Sequence, residues 1–264
     1  MSFSPVIIVT GASKGLGLAI TQILLSTFNA KIVAVSRSIP QELETLRSSS
    51  DHKERVEIVQ GDVVSDETSA HAVKVALERF GRIDGLVLNA GTIDPLGPIA
   101  DPENTIAQWA STFQINLFSL VSMLQHATPH LRSSENGGKV VMVSSGAATG
   151  NTSGWGCYNS SKAALNSLCR TYANEEKSIT SFAVRPGMVN TEMQTKLRAL
   201  GEKGMNPEEL ERFTTAHKEG KLLKPEDPGF VIAALAVKGH EVKELSGQFL
   251  SWNEASLSAY QRPQ

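Results

Sequence analysis

Cysteine is scarce in this chain: its 264 residues include two. Two cysteines cannot build the multi-bridge framework of a small secreted domain, so a reducing, cytosolic compartment is expected. There is no excess of charge of one sign. Lys and Arg number 25 against 27 Asp and Glu, for a net charge of -2. That balance leaves no electrostatic footprint for nucleic acid or for an anionic membrane surface. No run approaches the roughly 18 uncharged apolar residues of a membrane span. The apolar start, Pro5 to Val9, is too short for a signal sequence and has no basic leader, which again favours a cytoplasmic protein. Internal repeats and low-complexity tracts are missing too. A metal-ligand cluster is also missing: His126 and His130 stand four apart, but Pro129 lies between them and no carboxylate completes a set. A helix end is expected there, and no metal.

What is present is ordinary for a globular chain, at 41% apolar and 20% charged residues. The length suits one α/β domain over residues 1–264 with a full core. Short β-branched runs alternate with longer helical patterns. Strands are expected at Val6–Thr10, Lys31–Ser36, Val56–Gln60, Gly85–Asn89, Lys139–Ser144, Ile179–Arg185 and Gly247–Ser251. Several are apolar throughout, as in parallel strands covered on both faces. Helices are expected near Gly15–Thr27, Gln41–Ser49, Asp66–Phe80, Asn104–Leu131, Cys157–Glu176 and Pro225–Lys238. This alternation predicts a doubly wound parallel sheet in a three-layer α/β/α sandwich. Residues 191–224 break the rhythm. They form a charged insertion after the sixth strand, with one helix opening at Asn206-Pro207-Glu208-Glu209. Open sheets bind ligands at strand C-termini, so the insertion reads as a lid, or else as a surface excursion.

The first strand runs into Gly11-Ala12-Ser13-Lys14-Gly15-Leu16-Gly17 and then a helix. Glycines let a backbone turn tightly against a pyrophosphate, and the following helix offers free N–H groups. Dinucleotide sites of this kind place a carboxylate about 20 positions on, to hold a ribose hydroxyl. Ser36 and Arg37 stand there instead. Arg37 and Lys14 therefore suggest the 2′-phosphate of NADP(H); without the glycine turn they would read as two solvated cations. Further on, Tyr158 and Lys162 are four apart on one helix face. A nearby ammonium favours the phenolate, so this pair can act as a tuned general acid/base; taken alone, the spacing reads as an ordinary helix surface.

Thr10-Gly11-x-x-x-Gly15-x-Gly17, Asp62-Val63, Asn89-Ala90-Gly91, Asn116, Ser144-Ser145, Tyr158-x-x-x-Lys162 and Pro186-Gly187-x-x-x-Thr191 stand in that order. Together they resemble the short-chain dehydrogenase/reductase family, from Val6 to about Asn253. The resemblance implies a Rossmann-like fold and hydride transfer between NADP(H) and a ketone or aldehyde. It implies that Tyr158 gives the proton and that Lys162 holds the nicotinamide ribose and lowers the Tyr158 pKa. Ser145, thirteen positions before the tyrosine, would bind the carbonyl, with Ser144 the weaker candidate. Asn116 would sit at a kink in the long helix and help hold a relay water. Gly11, Ser13, Lys14, Gly15, Leu16, Gly17, Ser36 and Arg37 would bind the adenosine and phosphates. Asp62 and Val63 would contact adenine, and Asn89, Ala90 and Gly91 would support the cofactor. Pro186, Gly187, Val189 and Thr191 would line the carboxamide. The family's dimers and tetramers imply a homodimer or homotetramer through the helices near Asn104–Leu131 and Cys157–Glu176.

A narrower resemblance is to the benzil reductases, related to sepiapterin reductase. It rests on Ser144-Ser145-Gly146-Ala147, Trp155, Gly204-Met205, Leu210 to Thr214 and Ser246-Gly247-Gln248-Phe249. It implies a hydrophobic vicinal diketone as substrate. Trp155 reads either as pocket lining or as packing beneath a loop, and Cys157 as a redox sensor or a small buried residue. Two rival functions remain: a non-catalytic dinucleotide-binding regulator, which usually lacks the tyrosine or lysine, and a hydrolase using Ser145, for which Gly-x-Ser-x-Gly is absent.

Overall fold

The computed structural model describes residues 4–263. Seven strands form one parallel sheet in the order β3-β2-β1-β4-β5-β6-β7. They are β1 Val6–Thr10, β2 Lys31–Ser36, β3 Val56–Gln60, β4 Gly85–Leu88, β5 Gly138–Val143, β6 Ile179–Arg185 and β7 Phe249–Ser251. Nine α-helices are described. They are α1 Gly15–Ser26, α2 Gln41–Ser48, α3 Asp66–Phe80, α4 Ile106–Phe113, α5 Ser119–Leu131, α6 Gly156–Glu175, α7 Glu192–Leu200, α8 Pro207–Lys218 and α9 Glu226–Lys238. The order reverses between β1 and β4, and the cleft above the strand C-termini opens there.

Period-two alternation explains why strands that look uniformly apolar fit this place. Ile7 and Val9 pack with Leu16, Ile20 and Leu24 of α1 and with Val231 and Leu235 of α9. Val6 and Ile8 point the other way, toward Val73 of α3, Leu124 of α5 and Leu165 of α6. Both faces are dry, so neither set can be polar.

The long helix expected over Asn104–Leu131 is corrected to two helices. A capping box between Thr105 and Gln108 starts α4, and a π-helical turn at Gln114–Phe118 separates α4 from α5. Such wide turns recur at functional sites, and this one carries Asn116. The last strand is shorter than expected because Gly247 adopts φ 83, outside strand geometry, while donating to the Ser181 carbonyl at 2.7 Å. The insertion holds two helices, α7 and α8, where one was expected. Its ends meet as Val189 pairs with Leu223, so it leaves and rejoins the body at one point.

Candidate functional site

The glycine turn is built by close approach. A Cβ on Gly17 would lie 2.1 Å from the Gly11 carbonyl oxygen, and one on Gly11 would lie 2.9 Å from Asn89 Nδ2. Only glycine fits either place. Asn89 Nδ2 donates to the carbonyls of Thr10 and Gly11 at 3.0 and 3.1 Å. The N–H groups of Asn89 and Ala90 both donate to Thr10 Oγ1. The Asn89-Ala90-Gly91 turn is therefore a buttress that holds the glycine turn in shape.

A cleft of about 1580 Å³ runs from Ser36, Arg37, Asp62 and Val63 past the glycine turn to Ser145 and Tyr158. All of the expected cofactor residues line it, including Ser13, Gly15, Leu16, Pro186, Gly187, Val189 and Thr191. Bare glycine backbone, a helix N-terminus and an elongated volume fit a dinucleotide. The end of β2 itself brings no carboxylate to the cleft, although Asp62, after β3, lines it nearby. Ser36 is buried and its hydroxyl donates to the Ser38 carbonyl at 2.8 Å, while Arg37 is exposed. Lys14 differs from expectation: its ammonium is ion-paired with Glu192 in the first turn of α7. No contact joins Lys14 to Arg37 among the described residues.

The catalytic candidates meet at the deep end. Tyr158 and Lys162 are 6% and 4% exposed. Lys162 Nζ lies 5.8 Å from the Tyr158 ring centroid and donates to the Val143 carbonyl at 2.8 Å. Burial lowers the Lys162 pKa to about 8. Burial also pushes the Tyr158 hydroxyl up, opposed by a hydrogen bond with Ser145. This corrects the expectation that the ammonium sets the tyrosine: desolvation is the larger influence on both groups. The two serines have different partners. Ser144 Oγ donates to Asn166 Oδ1 at 2.6 Å, inside α6, while Ser145 bonds Tyr158.

Asn116 lies behind the cleft wall, fully buried. Its Oδ1 accepts from Thr92 N–H at 2.8 Å, and its Nδ2 donates to the Thr92 carbonyl and to Ser161 Oγ at 2.8 and 3.0 Å. Ser161 in turn donates to the Tyr158 carbonyl at 2.9 Å. The Asn116 amide thus links the Thr92 backbone to Ser161. A Cβ on Gly91 would stand 3.3 Å from Asn116 Oδ1 and 3.6 Å from Lys162 Nζ, so both groups converge on that bare backbone.

A family model for short chain dehydrogenases matches residues 5–200. The chain belongs to the short chain dehydrogenase family. A benzil reductase ((S)-benzoin forming) of Saccharomyces cerevisiae is 36% identical over 261 residues, 97% of this chain and 98% of that protein. The crystal structure of the enzyme KRED1-Pglu matches with a TM-score of 0.86 at 39% identity, over 94% of this chain and 100% of that one. A Saccharomyces cerevisiae structure described as a cytoplasmic protein of unknown function matches with a TM-score of 0.77 at 34% identity, over 98% of this chain and 100% of that one. Family membership makes the protein an oxidoreductase of small molecules that uses a nicotinamide cofactor. Among the described residues no helix is long and apolar enough to cross a membrane.

The insertion brings the Gly204-Met205 and Leu210 to Thr214 stretches to the site. Phe213 of α8, Leu197 of α7 and Met205 pack with Ile93, Trp155 and Tyr158 in a third apolar cluster. Trp155 stands edge-on to Tyr158 with centroids 5.7 Å apart, and tilted on Phe213 at 5.3 Å. Polar ties surround this cluster. Lys196 pairs with Asp94, and Glu209 accepts from the Ser153 N–H at 3.0 Å and from the Ser153 hydroxyl. Cys157 is buried and its thiol is pushed up by burial, which favours the small buried residue over a redox sensor. His126 is hydrogen-bonded to Asp66 at 3.0 Å.

Proposed function

We propose that this protein is an NADPH-dependent carbonyl reductase of ketones or aldehydes, with hydrophobic vicinal diketones such as benzil as its substrate class. One observation carries the reading: Ser145 and the buried Tyr158 and Lys162 close one end of a cleft whose other end bears Arg37, with Ser36 rather than a carboxylate at the end of β2. The similar benzil reductase supports the diketone class. So does the apolar cluster of Met188, Met193, Leu197 and Trp155 at the Tyr158 end of the cleft.

Gly11 to Gly17 would hold the pyrophosphate against the α1 N-terminus, Arg37 the 2′-phosphate, Asp62 and Val63 the adenine, and Pro186 to Thr191 the nicotinamide end. When bound, the nicotinamide supplies the hydride. Ser145 holds the carbonyl oxygen at the Tyr158 hydroxyl. Tyr158 gives that oxygen its proton as the carbonyl carbon becomes a carbinol. Burial keeps the hydroxyl protonated until that moment. Lys162 then stands beside the phenolate, and its positive charge offsets the charge left on the ring. Asn116 and Ser161 fix the Tyr158 turn of α6 from behind. The insertion serves as a lid that shuts water out of this step. The protein acts in the cytoplasm as one domain, in a homodimer or homotetramer.

An absorbance assay of NADPH oxidation over a panel of diketones, simple ketones and sugars tests the reading. Turnover is expected, with diketones ahead of sugars. Tight NADPH binding without turnover of any carbonyl would make it a regulator, and ester hydrolysis without nicotinamide would make it a hydrolase.

A further inference from the structure

Among the described residues, few buried side-chain polar atoms are left without a partner. They are Trp155 Nε1, Asn159 Oδ1, Thr180 Oγ1, Gln194 Oε1 and Arg198 Nη1. Only Trp155 and Gln194 among these also line the main cleft. The Gln194 atom is an oxygen and cannot bind a carbonyl. Trp155 Nε1 is a pure donor. Trp155 is 7% exposed, and its ring meets Tyr158 on one side and Phe213 on the other. A buried donor without an acceptor is costly to keep. Phenylalanine would fill a similar apolar place without that cost, so packing alone does not explain an indole here.

We propose that the Trp155 indole N–H is a specificity device that hydrogen-bonds the second oxygen of a vicinal dicarbonyl while Ser145 and Tyr158 hold the first. The proposal rests on the carbonyl-reductase reading and names what its substrate must carry. The two oxygens of a vicinal diketone stand on adjacent carbons, and Trp155 stands beside the tyrosine that serves the reacting one. The N–H is shielded from water in this arrangement, and Phe213, which packs on the indole, belongs to the insertion. An acceptor held at this N–H is shielded with it, which strengthens the bond. A monoketone leaves the donor unpaired, and a site built around a buried donor rejects ligands that lack its acceptor.

Benzil and deoxybenzoin test this, because they share both rings and differ in one carbonyl oxygen. The ratio of kcat/KM for benzil to that for deoxybenzoin should be high in the wild type. It should fall about tenfold in Trp155→Phe, which keeps an aromatic ring and removes the N–H; tenfold corresponds to about 1.4 kcal/mol. An unchanged ratio, or equal losses on both ketones, would overturn the proposal. A crystal structure of the wild type with oxidised cofactor and benzil is a second measurement, independent of how the variant folds. It should place one diketone oxygen within about 3.2 Å of Nε1, and both oxygens lying elsewhere would overturn the proposal. Wild-type enzyme that reduces neither ketone would instead overturn the carbonyl-reductase reading beneath it.

Discussion

The ammonium of Lys162 donates a 2.8 Å hydrogen bond to the main-chain carbonyl of Val143, at the last residue of β5. Helix α6 is thereby tied to the strand end that leads to Ser145. The same burial that makes this bond also holds the Lys162 pKa at about 8 against an ordinary 10.5.

This depression has a sign in stability. The unfolded chain keeps its proton up to about pH 10.5, while the folded chain releases it near 8. Folding therefore carries a cost of about 3 kcal/mol below pH 8, relieved as pH rises toward 10.5. Lys162→Met should lack catalysis and be more stable than the wild type at pH 7, with the gap closing by pH 10.5. Urea unfolding of both proteins at the two pH values checks this. Comparing the pair removes the opposite contributions of Tyr158, Tyr172 and the cysteines, whose values burial raises.

Ser161 links Asn116 to the carbonyl of Tyr158. Ser161→Ala breaks both bonds in a fully buried place, at about 1–3 kcal/mol. The melting temperature should fall by several degrees. kcat should drop more than KM rises, because Tyr158 loosens while the cleft walls stay. Differential scanning calorimetry with steady-state kinetics reads both.

The ion pair of Lys14 with Glu192 bears on cofactor choice. Both side chains are largely exposed, so the pair itself is weak. Arg37→Ala should raise the KM for NADPH at least fivefold with little change for NADH. Glu192→Gln should free Lys14 and improve NADPH binding by about two- to threefold relative to NADH. Fluorescence titration of both cofactors is the measurement. Equal effects on the two cofactors would remove these residues from the phosphate site.

Phe213 joins the insertion to Trp155. Phe213→Ala should raise KM for bulky apolar ketones about tenfold and leave NADPH affinity nearly unchanged, since its contacts lie at the substrate end. Separate titrations of cofactor and ketone distinguish the two.

The fold was legible because its signals are local. Apolar strands such as Ile7 to Val9 and the glycine spacing from Gly11 to Gly17 need no distant partner to be recognised. The same holds for the Tyr158–Lys162 spacing. What was not legible depends on contacts far apart in sequence. The π-helical turn at Gln114–Phe118 leaves no period of its own, because Asn116 is drawn inward by Thr92 across a separate loop. Lys14 shows no sign in its own segment that Glu192 will meet it. Helix α7 is polar and short, so its periodicity is faint, and only packing against Ile93 and Trp155 gives it a face. The Tyr158 pKa was read from its neighbour Lys162, but the direction follows burial, which spacing does not reveal.

Tyr158→Phe with NADPH and a diketone tests the central claim most directly. The account predicts a loss of turnover of about 10²–10⁴-fold, with NADPH affinity and melting temperature preserved. Turnover near the wild-type rate, with NADPH still bound, would contradict it.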